Sequence, residues 1–145
     1  MSETNKIDEI VDFPVHFLSC EIGIIKPMNA DKDLYNIEIP IVPFELDDER
    51  VKTSIRLDWI DFGDKTITEL TNTAFIFPVN PEEGYIEGSI YLRSAHNPVD
   101  VTRIDFDNLT DNILAAALDM RILFEFEDIG FKNIDYTLNA RLRIK

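Results

Sequence analysis

Apolar residues recur along this chain mainly at every second position, the period of half-buried strands rather than of amphipathic helices. His16, Leu18, Cys20, Ile22 and Ile24 form one mostly apolar row, opposite the mixed row Val15, Phe17, Ser19, Glu21 and Gly23. Tyr35, Ile37, Ile39 and Ile41 form a second row, and Pro40 and Pro43 place that strand at a sheet edge. Val51, Thr53, Ile55, Leu57 and Trp59 form a third, with Trp59 facing the core, and Asp61-Phe-Gly-Asp64 reads as a turn. A fourth strand is expected over Lys65–Phe77. After the break Asn80-Pro-Glu-Glu-Gly84, a fifth carries Ile86, Gly88, Ile90 and Leu92, and His96-Asn97-Pro98 interrupts the chain again.

The sixth strand contains a change of parity. Val99 and Val101 are odd-numbered, whereas Ile104 and Phe106 are even-numbered. One extra residue near Thr102 and Arg103 would return all four to the same face, so the pattern predicts a β-bulge there. Residues 108–120 carry two patterns. Thr110 could cap a short helix presenting Leu109, Ile113, Ala117 and Met120, but Leu114 to Phe126 alternate without a break, which favours one strand from Ile113 to Glu127. The last strand presents Ile134, Tyr136, Leu138, Ala140, Leu142 and Ile144 on one face, and Asp128–Lys132 is short enough to link it as a hairpin. Ile7, Ile10 and Val11 stand at helical spacing, suggesting a short helix near residues 5–12. The expectation is an all-β fold, an antiparallel β-sandwich or barrel of about eight strands with at most one or two short helices.

Length changes this picture little. The 145 residues suit one domain, 1–145, with no internal repeat or linker, and a hydrophobic content of 45% can fill a core. Charge changes it more. Fourteen Lys and Arg stand against 28 Asp and Glu, a net charge of -14, which repels phosphate backbones and argues against a nucleic-acid partner. The acidic N-terminus does not read as a signal peptide, and the longest mainly apolar run, Ile113–Leu118, is far short of the ~20 residues a membrane helix needs. A cytoplasmic protein without a membrane partner is expected, and the single cysteine fits a reducing compartment.

Candidate chemistry is sparse. His16 and Cys20 share a row but lie roughly 13 Å apart on an extended strand, too far for a nucleophile and its base. Cys20 between Leu18 and Ile22 reads as a small core residue and His96 as a solvated loop residue. No phosphate loop, nucleophile elbow or dinucleotide fingerprint occurs. The clusters Asp105, Asp107, Asp111 and Asp58, Asp61, Asp64 could offer oxygens to calcium, but neither follows an EF-hand loop, and Asp is a common turn residue. No enzyme activity, cofactor or metal is expected. What stands out is the acid itself. Glu45, Asp47, Asp48 and Glu49 run almost continuously, and with Asp58, Asp61, Asp64, Asp105, Asp107 and Asp111 they form ten carboxylates in loops or at strand ends. Gathered at one end, they would make a docking surface for a cationic protein. Arg141, Arg143 and Lys145 make no comparable basic stripe, because Glu125 and Glu127 on the neighbouring strand would balance them.

In these general features, and in the runs Gly88-Ser-Ile-Tyr-Leu92, Val101-Thr-Arg-Ile-Asp-Phe106 and Phe124-Glu-Phe-Glu127, the chain resembles bacterial toxin-neutralising immunity proteins. These are the partners of contact-dependent inhibition or polymorphic toxins. The resemblance implies a non-catalytic protein that binds a cognate toxin, basic and a nuclease, and occludes its active site. It carries over no functional residue. The alternatives are a β-sandwich accessory module for calcium, a lipid headgroup or a glycan, and an assembly subunit pairing through an exposed edge such as the Pro-bearing second strand.

Overall fold

The computed structural model describes residues 9–28 and 31–145. The strands are β1 (Gly23–Met28), β2 (Asp31–Pro40), β3 (Phe44–Leu46), β4 (Glu49–Val51), β5 (Ser54–Asp61), β6 (Ala74–Ile76), β7 (Glu87–Leu92), β8 (Ala95–Thr110), β9 (Ile113–Ile122) and β10 (Ile134–Ile144). Seven of them form a ring in the order β8-β7-β5-β2-β1-β10-β9, and β9 pairs back onto β8. That last pairing makes the fold a closed barrel rather than a sandwich. β6 extends the wall along β8 past the point where β7 stops, and β3 and β4 form a separate hairpin.

The ring contains one parallel pair, β1 with β10. Its parity requires this: each antiparallel neighbour reverses strand direction, and seven reversals cannot return to the starting direction. The same parity assigns every connection to an end. At the basal end lie the β3–β4 hairpin between β2 and β5, the β7–β8 turn, and the loop from β9 to β10. At the apical end lie the end of β1, the start of β2, the β8–β9 turn and the exit of β5.

The period-two rows account for much of the wall. Tyr35, Ile37, Ile39 and Ile41 are all buried, as are Ile86, Ile90 and Leu92, Leu114 to Ile122 on the even positions, and Leu138, Ala140 and Leu142. Residues 113–122 are strand, not helix. The bulge lies where the parity change places it: Val101 faces Met120 while Arg103 faces Asp119, so Thr102 is the extra residue and Val99, Val101, Ile104 and Phe106 all point inward.

A second bulge overturns the reading of Trp59. Ile37 faces Leu57 but Tyr35 faces Ile60, so three residues of β5 span two of β2. Trp59 adopts φ 62 and is 52% exposed, and Ile60 and Phe62 take the inward positions. β1 also departs from expectation. Val15–Phe17 is a 3-10 turn, the strand begins at Gly23, and Gly23 and Ile25 are buried instead of Ile22 and Ile24. Gly23 lies so close to β2 that a Cβ there would stand 2.6 Å from the Glu38 carbonyl oxygen, which fixes the parity.

Four further expectations are corrected. Residues 65–77 are not one strand: Thr66 and Glu69 form a capping box on a 3-10 turn over Ile67–Leu70, and only β6 is extended. β2 is not an edge strand; Pro40 is its last residue, and its carbonyl accepts the Glu21 N–H. His96-Asn97-Pro98 lies inside β8, and the turn before it is Arg93-Ser94. β9 stops at Ile122 opposite Ile134, so the link to β10 is residues 123–133, a wide loop rather than a short hairpin. Half of the expected helix over 5–12 falls outside the described residues; within them 9–12 are not helical, and Val11 forms a parallel bridge to Phe131.

An aromatic cluster closes each end of the interior. Phe13, Phe17, Phe44, Phe124 and Phe131 pack at the basal end, and Tyr35, Phe62, Phe75, Phe77 and Phe106 at the apical end, with Ile and Leu between them. Outward rows such as Asp135, Thr137, Asn139, Arg141 and Arg143 on β10 are exposed and polar. On β10 this is the reverse of the apolar face that a membrane-spanning strand presents to lipid.

Candidate functional site: the acidic basal end

The β3–β4 hairpin turns on Asp47 and Asp48, with φ 52 and 65. Two successive left-handed residues define the turn that matches strand twist, and Asp tolerates that conformation well. The hairpin is fastened to the barrel by Phe44, whose ring is buried and stacks on Phe17 at 4.7 Å. Glu45, Asp47, Asp48 and Glu49 are left facing water. Glu45 is 3.9 Å from Arg50.

Arg93 joins this hairpin to the loop 123–133. It occupies a left-handed position too (φ 53), in the Arg93-Ser94 turn between β7 and β8. Its guanidinium pairs with Asp47, donates to the Ile129 carbonyl at 2.6 Å, and lies 4.5 Å from the centre of the Phe131 ring. The loop has its own clasp: the Glu125 N–H donates to Asn133 Oδ1 at 2.9 Å, and the Asn133 N–H donates to Glu125 Oε2 at 3.0 Å. Phe124 and Phe131 anchor it in the basal aromatic cluster, while Phe126 between them is 74% exposed. Glu125, Glu127 and Asp128 are exposed beside it. Among the charged residues of the basal segments are Asp12, Glu45, Asp47, Asp48, Glu49, Glu125, Glu127 and Asp128, with Arg50, Lys52, Arg93 and Lys132.

The ten carboxylates singled out from sequence do not gather at one end. Glu45, Asp47, Asp48 and Glu49 lie on the basal hairpin. Asp61 ends β5 and Asp64 follows it at the apical end, where Asp61 accepts the Gly63 N–H at 2.8 Å, and Asp111 starts the apical β8–β9 turn. Asp58 is half-buried and accepts from Asn36 Nδ2 at 2.6 Å. Asp105 and Asp107 line an outer-wall cavity of about 500 Å³ with Cys20, Ala115, Ala117 and Arg141, and Asp105 pairs with Arg103 at 3.5 Å. Glu125 and Glu127 do not neutralise Arg141, Arg143 and Lys145: they belong to the basal loop, whereas β10 runs to the apical end. Arg93, Phe126 and Asp128 were missed. Their roles depend on which turns share an end, a property of the closed ring.

Each of the nucleophile and base candidates has its own neighbour. The Cys20 thiol donates to the Asn139 carbonyl at 3.4 Å. Burial raises its pKa, outweighing its own backbone hydrogen bond and Arg141, which lower it. It is therefore a protonated thiol at neutral pH, a poor nucleophile. His16 packs on Phe17 and His96 on Tyr91. Among the described residues no group of three or more His, Cys, Asp or Glu side chains is placed to hold a metal ion. No helix among them is long and apolar enough to cross a membrane. Comparison with protein-family models, curated proteins and solved structures finds no match for the chain.

Proposed function

We propose that this is a non-catalytic binding protein of the immunity type, which covers the active site of a basic toxin, a nuclease in the simplest case, with its basal end. The observation that carries the reading is the Arg93 junction. It links two acidic segments, 45–49 and 125–128, at one end of the closed barrel. A fixed cluster of exposed carboxylates steers a cationic partner and occupies the sites where that partner expects phosphates.

Affinity capture at low salt tests it. Wild-type protein retains one stoichiometric basic protein, co-production with that protein relieves its toxicity, and the variant Asp48→Asn/Glu49→Gln/Glu127→Gln retains much less. Asn suits the left-handed Asp48 position, so the variant removes charge without disturbing the turn. A partner that is acidic, or retained equally by the variant, contradicts the proposal. Self-assembly is a second reading, favoured by the free edge of β6, where Ile76 is 76% exposed. It predicts capture of the protein's own copies.

A further inference from the structure

Exposed apolar side chains are concentrated at the same end as the acids. Of the seven large hydrophobic residues exposed among the described residues, Val11, Val15, Val42 and Phe126 belong to the basal segments, and Phe126 is the most exposed of these four. The fold does not need that ring. The loop is already anchored by Phe124, stacked on Phe13 at 5.0 Å, and by Phe131. Nor is the loop slack around it. The Phe126 N–H donates to the Leu123 carbonyl at 3.1 Å and the Asp128 N–H to the Glu125 carbonyl at 3.2 Å, giving two successive turns. The Glu125–Asn133 clasp closes the neck below them, and Arg93 grips the Ile129 carbonyl. An aromatic ring on a pre-ordered loop loses little freedom on binding, which is the property of an interface anchor.

We infer that Phe126 is that anchor: it enters an apolar pocket on the basic partner whose rim carries Lys or Arg side chains facing Glu127 and Asp128. The inference rests on the reading of the basal end as the docking surface. It assigns affinity to the ring and association rate to the carboxylates, since buried aromatic anchors govern dissociation while rim charges govern encounter. The partner's chemistry follows from the loop: a cationic protein with a ring-sized apolar hollow at its binding face, not a flat polyanion-binding surface alone.

Photo-crosslinking in the producing cells tests this. Benzoyl-phenylalanine is placed at position 126, at Glu49 as a second basal probe, and at Ile76 on the β6 edge. The expected result is a cross-link from 126 and from 49 to the same basic protein, and none from 76. With that protein purified, Phe126→Ala weakens binding roughly 10- to 100-fold through faster dissociation, with the salt dependence and the melting temperature unchanged. Glu127→Gln/Asp128→Asn instead slows association and flattens the salt dependence. A cross-link from 49 but not 126, or a Phe126→Ala affinity equal to wild type, overturns the anchor and leaves the proposed function standing. Cross-links only from 76, or to no basic protein at all, overturn both.

Discussion

Asp47 and Arg93 are each the first residue of a two-residue hairpin turn, each left-handed, and they pair across 46 residues of sequence. The pair sits at the junction of three basal segments: the β3–β4 hairpin, the β7–β8 turn and the loop 123–133. Arg is an unusual occupant of a left-handed turn position, where Asn, Asp and Gly are favoured, and here its side chain makes three contacts that no turn residue of that set could make.

The two partners are not equivalent, and mutation separates them. Asp47→Asn loses a pair whose carboxylate side is 70% exposed and screened by solvent, a cost of about 0.2–1 kcal/mol. Arg93→Ala also loses the Ile129 hydrogen bond and the Phe131 stacking, and a total of about 1–3 kcal/mol is expected. Urea unfolding of both variants measures the difference; equal effects would show that only the ion pair matters.

Gly88 has no room for a side chain. A Cβ there would stand 2.5 Å from the Val99 carbonyl oxygen and 2.9 Å from Leu57 Cδ2. The Leu57 side chain can turn aside, but the Val99 carbonyl is backbone of the adjacent strand, so that contact is relieved only by shifting the wall. Gly88→Ala is expected to cost about 1–3 kcal/mol or more, read as a lower melting temperature. Gly63→Ala, at φ 74 with open space around it, costs only about 1 kcal/mol, from backbone strain alone.

Stability should respond to pH at Asp100. This residue lines a second outer-wall cavity, and burial raises its pKa, with Arg121 acting in the opposite sense. An acid whose folded pKa is raised favours the folded state only while protonated. Its contribution is complete below the ordinary Asp range and lost as pH rises through the folded value. Asp100→Asn is therefore expected to raise the melting temperature at pH 7 and to leave it unchanged near pH 3. An equal gain at both pH values contradicts the assignment.

Cys20 should be a slow thiol. With its pKa raised by burial, alkylation by iodoacetamide at neutral pH is expected to lag well behind that of the same cysteine in the urea-unfolded chain. A folded-state rate equal to or faster than the unfolded rate would restore Cys20 as a candidate nucleophile.

Much of the barrel wall was legible because inward and outward residues alternate along one strand, a purely local property. Parity even placed a bulge near Thr102 and Arg103, where the register puts it at Thr102. The same change occurs between Leu57 and the pair Ile60 and Phe62, and it marks the bulge at Trp59 just as directly; the bulk of Trp pointed to the core and concealed it. The end of β9 was not legible. Ile122, Phe124 and Phe126 continue one row, and only the register with β10, where Ile122 faces Ile134, shows that the ladder stops there. The site was legible only in part for a similar reason. Asp47 and Asp48 announce a turn by their chemistry, but Arg93-Ser94 does not, and nothing local tells that residues 47, 93 and 129 meet while Asp64 and Asp111 lie at the other end.

The association rate between this protein and its captured partner, followed from about 50 to 300 mM salt, decides whether the basal carboxylates steer docking. The wild-type rate is expected to fall roughly tenfold or more over that range. Asp48→Asn/Glu49→Gln/Glu127→Gln should start slower and vary much less with salt. Equal rates and equal salt dependence for the two proteins would contradict the assignment of the basal carboxylates as the docking surface.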